Sequence, residues 1–214
     1  MPPFNILPVE EADLLEVVHV RYEAYAPHLT VLWHRKPSEE TFKQLASEMA
    51  ESLNSKTGAM FKAVDVETGR MAGVSSWKVY ETTPSVEELE ESFEDRSFPE
   101  EYNAEARAAF MANILQARKD YAIQRPNVSL DSLTVSPDFQ RRGVGRLLMQ
   151  WGMDKADKLG LENYLEASQA GKKLYESCGF RAIKEMQFDM RPWGVERTAI
   201  HAVMFRQPVQ AKSD

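Results

Sequence analysis

The sequence has a single cysteine, Cys178, in 214 residues. One thiol excludes an internal disulfide framework and favours a reducing compartment, so a cytoplasmic protein is the expectation. Histidine is scarce as well. His19, His28, His34 and His201 are scattered without metal-ligand spacing, which argues against metal catalysis. No run approaches the ~18 apolar residues of a membrane span, and the start Met1-Pro2-Pro3-Phe4 lacks the apolar stretch of a secretory leader. Basic residues do not dominate either: 26 Lys and Arg stand against 33 Asp and Glu, a net charge of −7. Nucleic acid, whose phosphates demand basic surface, is therefore a poor partner, whereas cationic small molecules are mildly favoured. What remains is ordinary globular composition, 43% hydrophobic and 28% charged, at a length suited to one domain with a substantial core.

The densest local signal is Gln140-Arg141-Arg142-Gly143-Val144-Gly145. It lies between an apolar strand over residues 130–135 and a helix beginning near Val144. In that helix Val144, Leu147, Leu148 and Trp151 keep the i, i+3, i+4, i+7 spacing of one buried face. Lys155 and Lys158 complement the negative end of the helix, and Gly160 suits a left-handed cap. A strand that turns through two glycines into a helix leaves backbone N–H groups converging at the helix's positive end, a geometry fit for phosphate or pyrophosphate. Arg141, Arg142 and Arg146 add charged donors. Two other phosphate loops are excluded. Leu148 fills the third small position that a dinucleotide fingerprint needs, and no Gly-Lys-Ser/Thr triplet follows. The same glycines would also serve a plain strand–turn–helix bend.

The next segment reads as a strand over residues 163–167, then Ser168, a short helix over 170–178, and Gly179-Phe180. The run Leu174-Tyr175-Glu176-Ser177-Cys178-Gly179-Phe180 resembles the Leu-Tyr-Glu-x-x-Gly-Phe signature of the GNAT superfamily of acetyl-CoA-dependent N-acetyltransferases. Residues 140–145 are similar to that superfamily's Gln/Arg-x-x-Gly-x-Gly/Ala pyrophosphate loop, and Val135-Ser136-Pro137 to the Val-x-Pro that precedes it. The resemblance is carried by residues 130–180 and is topological elsewhere. It implies an α/β fold: a mixed, mostly antiparallel central sheet of six to seven strands with helices on both faces.

The remaining elements suit that frame. Residues 4–9 read as a first strand, and Leu14, Val18, Arg21, Tyr22 and Tyr25 as an amphipathic helix stopped by Pro27. A loop with His28, Leu29, Trp33, His34 and Arg35 follows, then a helix capped by Ser38 that buries Phe42, Leu45, Met49 and Leu53. Strands over 60–66 and 71–80 form a hairpin at Glu67-Thr68-Gly69, and strands over 183–190 and 198–205 flank the turn Pro192-Trp193-Gly194. Between the third and fourth strands stands a helical insertion, residues 82–127, with an acidic run (87–95) and a helix over 101–121 whose Ala106, Phe110, Ile114 and Ala117 share a face. A connection of this length usually serves as a lid, an acceptor-binding segment or a dimer contact, which leaves a homodimer open; the plain alternative is a solvated helix at the domain edge. The expected organisation is one domain over 1–208 and a frayed tail over 209–214.

The resemblance further implies acetyl transfer from the coenzyme thioester to an amine, with acetyl-CoA as cosubstrate and no metal. Gln140, Arg141, Arg142, Gly143, Val144, Gly145 and Arg146 would hold the pyrophosphate. A backbone amide among Leu133, Thr134 and Val135 would face the developing oxyanion. Tyr175 matches the tyrosine that protonates the departing sulfur, a phenol of pKa about 10 donating to a thiolate of about 8.5; its alternative is a packing role beside Leu174. Ser168 stands where relatives carry an asparagine on the pantetheine arm, though a helix cap is the favoured reading, and Lys172 completes the coenzyme set. Alternation puts Ser129, Asp131, Leu133 and Val135 on one strand face, with Asp131 the base and Glu81 and Glu166 in reserve. Asp131 could equally be a strand-end carboxylate in a salt bridge. Trp33, Trp77 and Tyr80 are expected to wall the acceptor pocket. The expected acceptor is a small-molecule amine. A protein lysine or N-terminus, or a non-catalytic coenzyme A-binding domain, are the alternatives.

Overall fold

The computed structural model describes residues 3–25, 30–91 and 99–209, without the side chains of 51, 52 and 91. Pro27, His28 and Leu29, residues 92–95 of the acidic run and the tail from 210 lie outside the described residues. In chain order the elements are β1 (Phe4–Pro8), α1 (Leu14–Tyr25), α2 (Glu39–Leu53), β2 (Gly58–Asp65), β3 (Met71–Tyr80), α3 (Val86–Glu91), α4 (Ala104–Tyr121), β4 (Asn127–Val135), α5 (Val144–Leu159), β5 (Glu162–Ser168), α6 (Lys172–Ser177), β6 (Arg181–Asp189) and β7 (Thr198–Arg206). The strands form one seven-stranded sheet in the order β1-β2-β3-β4-β5-β7-β6. Every neighbouring pair is antiparallel except β4 and β5, which run parallel with α5 as their crossover.

Local chemistry accounts for the element boundaries. The Ser38 hydroxyl accepts the Thr41 amide at 3.2 Å and starts α2. Ser85 and Glu88 exchange bonds with each other's amides at the start of α3, and Asn103 accepts the Ala106 amide at the start of α4. Gly160 closes α5 in the left-handed conformation, φ 68°.

Helices cover both faces. On one, α1 and α2 bury Val17, Phe42 and Met49 against Val74 of β3, while α4 lays Ala117 over Tyr164 and Val203. On the other, α5 packs Met149 and Met153 against Trp77, Leu130 and Leu165, joined by Tyr175 and Phe180, and Leu148 against Phe4, Ala63 and Phe139. Within the insertion, α4 is thus packed on β5, β7 and β6 and is not a solvated helix at the domain edge. The residues just before α4 are stitched to the start of α2 and the segment ahead of it. The buried Glu101 carboxylate accepts from the Ser38 amide at 3.2 Å and from the Thr41 hydroxyl at 3.0 Å, and Trp33 stacks on Tyr102 at 3.8 Å between ring centroids.

One expectation about register fails. Ser76 pairs with Ser132 but Trp77 pairs with Leu130, so Asp131 is an extra residue bulged out of β4. Strict alternation would put Leu130 and Leu133 on opposite faces. With the bulge between them both lie against α5, while Ser132 accepts from Arg21 of α1 on the other side at 2.9 Å. Asp131 and Leu133 therefore do not share a face.

Candidate active site

The loop into α5 enters the left-handed region twice, at Arg141 (φ 63°) and Gly143 (φ 89°). Nothing stands within 4 Å of where a Gly143 Cβ would be, so conformation and not space calls for glycine there. The first helical amides with a protein acceptor are those of Arg146 and Leu147, both onto the Gly143 carbonyl at 3.1 and 3.3 Å. Those of Val144 and Gly145 have none among the described residues, and the positive end of a sixteen-residue helix stands behind them. Gly145 has a second reason to be small: its Cβ would lie 2.8 Å from Leu174 Cδ2 and 3.7 Å from Leu133 Cδ2. The loop, β4 and α6 meet at that point. The Arg142 guanidinium rests over the rings of Phe139 and Phe4 at 5.1 and 5.2 Å, Arg146 reaches the Ser177 carbonyl at 3.4 Å, and the Gln140 amide donates to the Val135 carbonyl at 3.2 Å.

Beside this loop the sheet splits. β4 and β5 pair only from Asn127 opposite Glu162 to Leu130 opposite Leu165. Beyond that β4 stays paired with β3 as far as Val135, and β5 with β7 as far as Ser168. A gap opens between the two parallel strands, and the backbone edge of Leu133, Thr134 and Val135 on that side has no strand partner. The unpartnered amides and this edge fit an anionic ligand with an extended, amide-bearing arm, the description of acetyl-CoA.

Across the mouth of the gap lies an ion network that the sequence reading missed. Arg118 of α4 donates to Glu166 from Nε and Nη2 at 3.1 and 3.2 Å and to Asp131 from Nη1 at 2.8 Å. The Arg118 and Glu166 side chains are 10% and 5% exposed, whereas that of Asp131 is 33% exposed. Partial burial pushes the Asp131 carboxyl up, but Arg118, Lys78 and Arg21 outweigh it and hold it below the usual carboxylate value. Asp131 is an anion throughout the neutral range and a weak base, with the salt bridge weighed against its catalytic reading in place. Of the reserve bases, Glu166 belongs to this network. Glu81 sits at the far end of the sheet, exposed and 3.8 Å from Lys155 of α5, so it does not reach the gap.

Tyr175 is buried in the cluster that lines α5, edge-on to Phe180 at 6.1 Å, and a side chain at Gly171 would collide with its ring at 2.8 Å. Burial, with Tyr25 and Cys178 adding to it, pushes its phenol above the ordinary value. The Ser168 hydroxyl accepts the Gly171 amide at 3.2 Å and closes the turn before α6, whose N-cap is Gly171 and not Ser168, and Lys172 stands 3.4 Å from Glu185 on β6.

The acceptor wall needs one correction. Trp77 is fully buried: its ring covers Gly152 so closely that a Cβ there would come within 2.2 Å, and its indole N–H donates to Ser75 Oγ at 3.2 Å. It is core, on the α5 face, and offers no surface to a substrate. Tyr80 is half-buried on the opposite side, its phenol pushed up to about 12 by burial and by Asp131. Trp33 is half-buried between Tyr22 and Tyr102. Among the described residues no helix is long and apolar enough to cross a membrane, and no cluster of His, Cys, Asp and Glu could hold a metal.

Known proteins share this architecture. The polyamine N-acetyltransferase of Drosophila melanogaster superposes with a TM-score of 0.64 at 15% identity, covering 95% of this chain and 99% of that one. The protein yncA of Salmonella typhimurium, solved with its cofactor acetyl-CoA, gives 0.56 at 19% identity over 99% and 97%. At such identities the likeness is one of fold. By sequence, 56 residues are 41% identical to the ribosomal protein bS18-alanine N-acetyltransferase of Salmonella typhimurium, covering 24% of this chain and 38% of that relative. The chain spans little more than a third of the curated relatives it matches, 34% and 38% of their lengths. The model of the acetyltransferase (GNAT) family matches residues 22–180, most of the chain, from α1 through α6, and the protein belongs to that family.

Proposed function

We propose that the protein transfers acetyl from acetyl-CoA to the primary amine of a small molecule by direct attack, in the cytoplasm. The observation that carries the reading is the meeting of three features around Gly145: helical amides without a partner, the open edge of β4, and the helix that bears Tyr175. Acetyl-CoA would supply the acetyl group as a thioester. In this reading the amides of Val144 and Gly145, with Arg141, Arg142 and Arg146 around them, hold the pyrophosphate. The edge of Leu133, Thr134 and Val135 holds the extended arm and presents an amide to the carbonyl oxygen as it gains charge. Ser168 and Lys172 already have protein partners and take the smaller part.

The amine attacks the acetyl carbon, the carbon–sulfur bond breaks, the Tyr175 hydroxyl gives its proton to the departing sulfur, and the surplus proton shed by the new amide nitrogen restores the phenol through water. An aliphatic amine of pKa about 10.4 must first lose a proton, at roughly 4–5 kcal/mol near pH 7. Asp131 is too weak a base to remove it outright. It attracts and orients the ammonium, and water at its exposed side takes the proton. Tyr80 and Trp33 line the acceptor side of the gap, and α4 brings Arg118 to it.

The test is release of free thiol from acetyl-CoA with a panel of acceptors: aliphatic diamines and polyamines, an aryl amine, a peptide with N-terminal alanine, and a lysine peptide. Turnover should be highest with the small aliphatic amines. Faster turnover of either peptide would assign a protein acceptor. Calorimetric binding of acetyl-CoA without turnover of any acceptor would leave a coenzyme-binding domain, and absence of binding would overturn the assignment altogether.

A further inference from the structure

Asp131 and Glu166 have a relation that their separation in the chain conceals. Leu130 opposite Leu165 is the last pair between β4 and β5, so Asp131 and Glu166 are the first residue of each strand beyond the fork. Arg118 joins them there. Its guanidinium places two nitrogens on the Glu166 carboxylate and the third on Asp131, so one planar group spans both arms of the split. The arginine comes from neither strand. It belongs to α4, in the insertion, and α4 is fixed to β5 and its neighbour β7 through the packing of Ala117 with Tyr164 and Val203.

We propose that Arg118 is a positioning residue: it sets the separation of β4 and β5 at the fork and holds Asp131 ionised and aimed at the acceptor side. The proposal rests on the acetyl-transfer reading above for its kinetic consequences, though not for its electrostatic ones. Without the guanidinium, two carboxylates would face each other across the fork with nothing between them, and proton uptake would relieve the repulsion. Other groups face this spot, and Lys78 and Arg21 also favour the Asp131 anion, so the Asp131 titration reads the Arg118 share of the field. Lys78 and Tyr80 stand on β3 and Arg21 and Tyr25 on α1, with Arg21 already donating to Ser132. Tyr164 of β5, Asp120 of α4 and Glu88 of α3 add negative or neutral groups, and His201 of β7, near Glu166, is kept from protonation by burial.

Two variants test this, Arg118→Gln and Arg118→Gln/Glu166→Gln, each read in two ways. The first readout is the Asp131 carboxyl titrated by carbon-13 NMR, which needs no activity. The second is the pH dependence of kcat/KM for an aliphatic amine. In Arg118→Gln the Asp131 titration should move up by about one pH unit or more, as removing a paired charge requires. The acid limb of kcat/KM should move up with it, a loss confined to pH values below about 6 and recovered by about pH 7. The double variant, with one carboxylate fewer at the fork, should move both back toward wild type. A merely structural arginine would lower the rate equally at every pH in both variants and leave Asp131 titrating as before, and that result overturns the proposal. Should Arg118→Gln fail to fold, the double variant is expected to fold with a near-wild-type titration, and its failure would count equally against the proposal. A wild type that releases no thiol while Arg118→Gln shifts Asp131 would sink the enzymatic reading alone.

Discussion

At Tyr175 burial and reactivity pull against each other. The closed cluster around Leu130, Met149 and Phe180 raises the phenol above its usual value, which makes the group a weaker acid but guarantees that its proton is present when sulfur departs. Tyr175→Phe keeps the ring and its packing and should lower kcat by about a hundredfold, with acetyl-CoA affinity by calorimetry unchanged. Since the folded phenol titrates above its ordinary value of about 10, wild-type kcat should show no alkaline decline from this group below that pH. A near-normal rate in Tyr175→Phe would return the residue to packing. Gly143 makes a second residue-scale case, because its φ of 89° and the open space around it separate strain from bulk. Gly143→Asn, a residue tolerant of the left-handed region, should nearly retain acetyl-CoA binding. Gly143→Ala should weaken it through roughly 1 kcal/mol of strain, and Gly143→Asp should abolish it by setting a negative charge at the anion site. Equal affinities across the series would show that the glycine only bends the chain.

Most elements are legible in the sequence because their signals are local. The 3.6-residue spacing and the caps Ser38 and Gly160 bound helices to within a residue or two, and period-two runs do the same for strands. What escapes is whatever one element does to another. The bulge at Asp131 follows from how β4 fits β3 beside Trp77, so alternation within β4 alone assigns the wrong face beyond it. Trp77 reads as a pocket wall until α5 is packed over it; Gly73 and Ser75 at alternate positions before it, and Gly152 four residues after Leu148, were the available signs of a close helix approach. Arg118 stands four residues after Ile114 on the apolar face of α4, and a charge on such a face signals a buried partner. Gly152→Ala tests the packing of α5 on β3. Its methyl would overlap the Trp77 ring and should destabilise the fold by about 1–3 kcal/mol, seen as a fall in Tm of roughly 2–4 °C per kcal/mol. Trp77→Phe should likewise lower Tm yet leave the amine KM unchanged; a KM raised severalfold would restore Trp77 to the acceptor wall.

On the scale of the molecule, three ion pairs tie distant parts of the chain: Arg206 of β7 with Asp157 of α5 at 2.8 Å, Lys62 of β2 with Asp13 before α1 at 2.6 Å, and Arg118 with Asp131 at 2.8 Å. In each the carboxyl is held below its ordinary value. At Asp157 the bonds from Arg206 do this, while at Asp13 and Asp131 the cations outweigh an opposing burial. His201 is also depressed, but by burial, with Glu166 pulling weakly the other way. A group whose folded pKa lies below its unfolded one stabilises the fold fully above the unfolded value, and the stability is lost as pH falls toward the folded value. The two kinds of group therefore act in separate windows. The loss from His201 begins below about 6.5, where the unfolded chain takes up the proton that the folded one refuses; the carboxylates begin to give way only below about 3.9. Thermal melts between pH 8 and 3 should then show Tm falling in two stages with a shallower stretch between them. His201→Gln should remove the upper stage and leave the lower one in place. A wild-type Tm that stays flat down to pH 4 would mean that His201 protonates within the fold, and that the cleft beside Glu166 already admits a cation.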